Sequence, residues 1–137
     1  MKKLFLAVLF SAIATIGFSQ TTSYAYKLET GVWNTYTKKW MWQDLIDIDL
    51  TFTLAKTYIK IDDKAHTFLS IIEQDGAIID DDKMHSARWT CSDEMNRRCS
   101  FSMTYFKESG TNIYNIMYND KCFRYYIKKD KIDNFDL

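Results

Sequence analysis

The sequence predicts an all-β domain in which about eight antiparallel strands form an up-and-down meander, closed as a barrel or as a β-sandwich. Two observations predict it: large side chains alternate with small or polar ones, and the segments between these runs are short. The absence of proline is compatible with such a sheet. Alternation with a period of two is typical of a half-buried strand, because successive side chains point to opposite faces. Connections this short favour hairpins, since parallel strands need crossovers of a dozen or more residues.

The alternating runs follow one another along most of the chain. Their large residues are Tyr24, Tyr26 and Leu28; Trp40 and Trp42; Leu50, Phe52 and Leu54; those in 58–61, 67–72 and 87–91; Phe101, Met103 and Tyr105; Tyr114, Ile116 and Tyr118; and Phe123, Tyr125 and Ile127. Turn sequences separate several of these runs: Asp62-Asp63-Lys64, Asp75-Gly76, Ser109-Gly110 and Asn119-Asp120. Asp-Gly in particular is typical of a tight hairpin turn. The order of runs and turns therefore predicts a meander.

The N-terminus has the layout of a secretory signal peptide. Lys2 and Lys3 are followed by an uncharged, largely apolar stretch of 15 residues, 4–18. That stretch is shorter than the roughly 20 residues that span a bilayer. We therefore expect residues 1–19 to be removed near Ser19-Gln20, and residues 20–137 to form a single β domain without a membrane span. The expected location is secreted or periplasmic.

Composition excludes several classes of function. The chain carries 18 basic and 18 acidic residues, and removal of residues 1–19 leaves 16 basic residues against the same 18 acids. A nearly neutral chain has no electrostatic footprint for nucleic acid, so no such partner is expected. The chain is also 47% hydrophobic and 16% aromatic. That is too apolar for a disordered chain and enough for one packed core.

No pattern of catalytic or metal-binding residues can be identified. The Gly-x-Ser-x-Gly elbow of nucleophilic hydrolases does not occur. His66 and His85 are expected to be solvated or hydrogen-bonded surface residues. The run Asp80-Asp81-Asp82 lacks the spaced ligands of a calcium loop and is more typical of a solvated turn. We therefore expect a protein that is not an enzyme and needs no metal or cofactor.

The three cysteines predict a disulfide bond. Cys91 and Cys99 lie at the ends of two strand-like runs around a polar loop, and an exported protein meets an oxidising environment. A bridge between them would stabilise the fold by roughly 2 to 3 kcal/mol in the chain-entropy model. Cys122 is left over. It fits a buried small hydrophobe, an intermolecular link, or an alternative partner for either of the other two.

The surplus of aromatic residues is the main indication of function. The interior of an eight-stranded barrel is just wide enough for packed side chains or one small ligand. Inward rings would therefore either fill the core or line a site for a small apolar or aromatic molecule, while outward rings would form a patch for a protein or glycan partner. The candidate ligand-binding residues are Trp33, Trp40, Trp42, Phe52, Tyr105, Tyr114 and Tyr118.

A second hypothesis is a protein-interaction module of the cell envelope, such as an inhibitor or immunity-type protein. Its candidate surface is the loop between Cys91 and Cys99. The side chains that this loop offers to an envelope protein are Glu94, Met95, Arg97 and Arg98.

Gly31-Val32-Trp33 resembles the Gly-x-Trp motif of lipocalins, and Arg124 on the predicted last strand resembles the arginine that packs over that tryptophan in the family. The resemblance implies an eight-stranded barrel that binds a small ligand. The chain departs from the family because a strand-like run precedes the motif and the Thr-Asp-Tyr motif does not occur. Its layout is also similar to that of small secreted β-proteins of Bacteroidota.

Overall fold

The computed structural model describes residues 20–76 and 78–128, which form a closed antiparallel β-barrel without helices. The predicted signal peptide, residues 1–19, and residues 129–137 lie outside the described residues. The strands are β1 (Thr21–Asn34), β2 (Lys39–Trp42), β3 (Ile46–Leu54), β4 (Tyr58–Ile61), β5 (Phe68–Gln74), β6 (Ile79–Asp80), β7 (Met84–Ser92), β8 (Arg98–Phe106), β9 (Thr111–Met117) and β10 (Lys121–Ile127). No helix in this part of the chain is long and apolar enough to cross a membrane.

Eight strands form the wall of the barrel. Their order is β1-β3-β4-β5-β7-β8-β9-β10, and β10 pairs with β1 to close the sheet. The two short strands extend this wall, because β2 pairs with the C-terminal part of β1 and β6 pairs with the N-terminal part of β7. The predicted antiparallel meander is therefore confirmed, and it is a closed barrel.

Connections gather at the two ends of the barrel. At one end, which we call the upper end, lie the β1–β2 hairpin and the connections 62–67, 93–97 and 118–120. At the lower end lie the connections 55–57, 81–83 and 107–110.

Inward side chains along each strand make a continuous hydrophobic core. Strand β7 shows the pattern, with His85, Ala87, Trp89 and Cys91 buried and the residues between them more exposed. In the middle of the barrel Phe52 is buried, and its ring lies near three others: Phe101 at 6.5 Å, Tyr114 at 5.3 Å and Tyr125 at 4.9 Å between centroids. Aromatic side chains therefore fill the centre of the barrel.

Strand β1 joins two segments that the sequence suggested were separate. Its 14 residues pair with β3 through the first half, with β2 through the second half, and with β10 on the other edge. The register shifts between Ala25 and Lys27, as at a β-bulge. Further along, a Cβ atom at Gly31 would lie 2.9 Å from the ring of Trp42, so only glycine lets that ring lie against the strand.

Candidate functional site

A cavity of about 320 Å³ opens at the upper end of the barrel. Its floor is the ring of Tyr125, which is buried and packs edge-on against Phe52. Aromatic and aliphatic side chains line the inner part, and charged side chains from three connections surround the opening. The lining residues are Asp63, Ala65, Thr67, Arg97, Ile116, Tyr118, Asp120, Lys121, Phe123 and Tyr125.

Asp93 fixes one wall of this cavity. One carboxylate oxygen accepts hydrogen bonds from the backbone N–H groups of Met95 and Arg97, each at 2.9 Å. The other accepts from Arg97 Nε at 3.0 Å and from the hydroxyl of Tyr118 at 2.9 Å. Burial disfavours the carboxylate, but these donors outweigh it and lower the pKa of Asp93. The β7–β8 loop is thus held in one conformation around a charged group.

Tyr118 presents its ring between this loop and the cavity. The guanidinium carbon of Arg97 lies 5.1 Å from the centre of the ring, within the range of a cation–π interaction. Burial and the hydrogen bond to Asp93 both raise the pKa of Tyr118. At neutral pH the hydroxyl is therefore a neutral donor whose position is set by Asp93.

The opposite wall is the β4–β5 connection. Asp63 accepts hydrogen bonds from the backbone N–H of Thr67 at 2.9 Å and from its hydroxyl at 2.8 Å. Burial, and secondarily the charge of Asp63, raise the pKa of Tyr125 at the cavity floor. The cavity thus combines neutral phenol rings with fixed carboxylates and with the cationic side chain of Arg97, a combination suited to binding and orienting a small molecule.

The predicted ligand-binding residues fall into three places. Tyr118 lines the cavity. Phe52, Tyr105 and Tyr114 are buried inside the barrel, and Phe52 and Tyr114 touch at its centre. The tryptophans lie together outside the barrel, on the upper β1–β2 hairpin: Trp33, Trp40 and Trp42.

The tryptophans form a row on the outer face of this hairpin. Ring centroids are 5.4 Å apart for Trp33 and Trp40 and 6.3 Å apart for Trp40 and Trp42. The guanidinium of Arg124 lies 4.0 Å from the ring of Trp42 and pairs with the carboxylate of Glu29 at 3.0 Å. The resemblance implies that Arg124 packs over Trp33. In the structure Arg124 covers Trp42 instead, because Trp42 is the residue that pairs with Gly31, two positions before Trp33 on β1.

All three cysteines are free thiols in this structure, so the expected disulfide is not present in it. Cys91 and Cys99 are nonetheless direct partners across β7 and β8, and both are buried. Burial, and secondarily the neighbouring thiol, raise the pKa of Cys91 to about 12. Cys122 is buried opposite Gly31, as a small hydrophobe would be.

His85 is buried, so the prediction that it is a surface residue is wrong. Its side chain is 2% exposed, its Nδ1 lies 2.7 Å from a carboxylate oxygen of Asp80, and its ring stacks on Tyr105. The alternation that buries Ala87 and Trp89 reaches His85 when it is extended back along β7. That signal was available in the sequence. The next residue of the acidic run, Asp81, accepts hydrogen bonds from the backbone of its own turn.

The predicted interaction loop lies beside the cavity. Arg97 lines the cavity, whereas Glu94 and Arg98 are exposed and Met95 is 73% exposed at the tip. The loop and the cavity therefore share one wall.

The described fold and site define a small closed β-barrel with a cavity at one end. Comparison with known protein families, with curated proteins and with solved structures finds no match for this chain. Its function therefore has to be inferred from the site itself.

Proposed function

We propose that this protein is an exported, non-catalytic binding protein that takes a small aromatic or apolar ligand at the upper end of its barrel. The observation that carries this proposal is the cavity of about 320 Å³ above Tyr125, which lies at the lower end of the size range of small-molecule sites. Depressions on the outer wall are less suited to such a ligand. The one beside Arg88 and Asn115, for example, has no aromatic side chain in its lining.

The ligand would lie against Tyr118 and Phe123, with Tyr125 beneath it. A planar ring stacked there gains aromatic contacts and loses little conformational freedom. Arg97 and Lys121 stand at the opening together with Asp63 and Asp120, so a hydrogen-bonding group on the ligand would find both donors and acceptors there. A rigid site made by fixed loops favours binding because little ordering is needed when the ligand enters.

This proposal keeps the ligand-binding role that the resemblance of Gly31-Val32-Trp33 to lipocalins implies, but it places the ligand at a different position in the barrel. An up-and-down barrel of eight strands supports the likeness, and so does the position of the motif in the first strand. The rings around Phe52 occupy the centre of this barrel. The proposed ligand therefore sits at the mouth and not in the deep interior.

The test is a binding screen on the mature chain, residues 20–137. Native mass spectrometry and ligand-observed NMR with a panel of small aromatic acids and neutral aromatics would identify a ligand. Tyr118→Leu should then weaken its binding about tenfold, by loss of stacking and of the ordered hydroxyl. The matched control, Tyr26→Leu on the outer wall away from the cavity, should leave the affinity unchanged. A panel without binders, or equal effects of the two variants, would overturn the proposal.

A second candidate function, the envelope interaction module, is favoured by the geometry of the β7–β8 loop. Asp93 holds this loop rigid, and Met95 stands exposed at its tip, which is how an inhibitor presents an anchor residue to a partner. The discriminating variant replaces Glu94, Met95, Arg97 and Arg98 by alanine. If the loop is the interface, a partner captured by cross-linking in the native host is lost with this variant. A partner retained by it would reject the surface.

A further inference from the structure

Strand β2 leaves one edge of the sheet open at the upper end. It pairs with β1 along one side, and no strand among residues 20–76 and 78–128 pairs with its other side. Strand β4 covers β3 only from Phe52 onwards, so the same edge stays open along the first residues of β3. An open edge is a template for another strand unless the protein blocks it.

The backbone groups along this edge alternate in direction. The N–H of Gln43 donates to the carbonyl of Thr30 on β1 at 2.8 Å, so the backbone of Gln43 faces β1. With a period of two, Met41 also faces β1, whereas the N–H and C=O groups of Trp40 and Trp42 point away from it. The open edge therefore offers two residues for pairing, and both are tryptophans.

Several apolar side chains at this edge are exposed. Met41 and Trp42 are 54% and 38% exposed, and the adjoining Leu45 and Ile46 are 46% and 52% exposed. The turn of the hairpin adds Tyr36, which is 96% exposed. Exposed apolar side chains along an open strand edge mark an interaction surface.

We propose that a second copy of this chain pairs with this edge, β2 against β2 in antiparallel orientation, to form a symmetric dimer. With the two-fold axis at Met41, Trp40 of one copy lies opposite Trp42 of the other. These are the residues whose backbone groups point outward, so the two copies would form four backbone hydrogen bonds. The same register places the tryptophans of both copies on one face as cross-strand pairs. The strand is thus complementary to itself in one register, as an isologous interface requires.

Charge favours this register as well. Counting outward from Met41, Lys39 faces Gln43, and the turn that carries Lys38 comes beside the segment that carries Asp44 of the other copy. Lys38 and Asp44 are exposed in the single chain, and symmetry produces the opposite-charge pair twice. Parallel pairing would instead place lysine beside lysine at one end and aspartate beside aspartate at the other. Complementary charges of this kind set the orientation of an interface.

Charge exchange between Lys38 and Asp44 tests the register directly. Alone, Lys38→Asp would place two acids opposite each other at both ends, and Asp44→Lys would place two lysines there. A mixture of the two variants restores an opposite-charge pair at both ends. Position 38 has φ 55°, a conformation that aspartate tolerates, so this variant should fold.

The measurement is sedimentation velocity and light scattering on residues 20–137 from about 1 to 200 μM, the range in which weak dimers form. Wild type should dimerise, each single variant should dissociate at least about tenfold more readily, and the equimolar mixture and the double variant should recover the wild-type constant. Lys56→Asp at the lower end is the charge-matched control and should behave as wild type. Monomeric wild type up to the highest concentration would overturn the proposal and leave a strand of another protein as the occupant. Variants that dimerise like wild type, or a mixture that does not recover, would overturn the register.

Discussion

Phe52 shows at the scale of a single residue what holds the barrel together. Its ring is buried and touches three other rings from β8, β9 and β10. We expect Phe52→Ala to lower the free energy of unfolding by about 3 to 5 kcal/mol, the sum of lost burial and of the cavity it leaves. Urea unfolding followed by circular dichroism measures this. Phe106→Ala, on an exposed ring at the end of β8, is the matched control and should cost under about 1 kcal/mol.

Asp93 makes stability depend on pH in a defined direction. Because its pKa is lowered in the folded chain, the carboxylate stabilises the fold fully above the unfolded value of about 3.9. This contribution is lost as the pH falls through the lowered native pKa. We expect Asp93→Asn to melt at a lower temperature than wild type at pH 7, and the difference to shrink progressively below about pH 4.

Thermal unfolding between about pH 2 and 7 measures this dependence, a range that brackets the pKa of aspartate. Asp82→Asn, in the exposed turn before β7, is the control for the change of net charge. A difference between Asp93→Asn and wild type that stays constant down to the lowest pH would contradict the assignment.

At the scale of the element, the pair β7–β8 decides the chemistry of the cysteines. Cys91 and Cys99 face each other across these strands, but burial raises the pKa of Cys91 to about 12. A thiol with that pKa is thiolate only to the order of 10⁻⁴ at pH 8, so it attacks slowly. We therefore expect the reduced, folded protein to react slowly with a thiol reagent and to react quickly once it is unfolded in urea.

The burial of Cys91 and Cys99 also determines when the predicted disulfide bond between them can form. If it forms, it should form during folding in an oxidising compartment, before the pair is buried. Non-reducing peptide mapping of protein folded in an oxidising compartment should then show Cys91 linked to Cys99 and Cys122 free. Three free thiols in that protein would reject the bridge, and fast labelling of the folded protein would reject the buried pair.

Strands β7 and β1 show how far a sequence predicts a barrel. Strict alternation holds along β7, so the inward row can be deduced from the sequence as far as His85. Along β1 the shift between Ala25 and Lys27 reverses the alternation. Without it, counting from Ala25 would place Trp33 inside the barrel, whereas the structure places it outside. A bulge depends on how neighbouring strands pair, and local sequence does not encode that.

The upper cavity was also predictable only in part, because it too depends on how distant segments meet in the folded barrel. Tyr118 could be identified as a candidate because it lies on an alternating run. Asp63 and Arg97 come from separate connections that meet only when the barrel closes. The role of Asp93 is likewise a matter of tertiary geometry, since one of its four hydrogen bonds comes from Tyr118, 25 residues further along the chain. Loops that converge through closure leave little signal in sequence.

At the scale of the whole molecule, closure depends on one seam. Strands β1 and β10 pair from Ala25 opposite Ile127 to Val32 opposite Lys121, which joins the two ends of the domain. Contacts so distant in sequence cost loop-closure entropy, so they form late and slowly. Once formed, they leave every wall strand paired on both sides along part of its length. The barrel should therefore unfold as one cooperative unit.

Arg124 tests this expectation, because it bridges the outer side of the seam. It pairs with Glu29 at 3.0 Å and covers Trp42, and its side chain is 33% exposed. We expect Arg124→Ala to cost about 1 to 2 kcal/mol, from the lost ion pair and cation–π contact. Arg88 makes an ion pair of similar length, 3.1 Å with Asp75, but is 57% exposed, so Arg88→Ala should cost under about 1 kcal/mol.

In both variants the tryptophan fluorescence and the far-ultraviolet circular dichroism should report the same unfolding midpoint. Fluorescence is recorded in a Trp89→Phe background, because Trp89 is buried in wall strand β7 and would also contribute to the signal. The remaining tryptophans lie on the β1–β2 hairpin at the seam, whereas the circular dichroism reports the sheet as a whole, so coincidence means that seam and wall open together. If Arg124→Ala shifted the fluorescence transition alone, the hairpin and seam would be a separate unit that opens before the barrel. The wall would then be stable without closure, and the pairing of β1 with β10 would no longer explain the cooperativity of the fold.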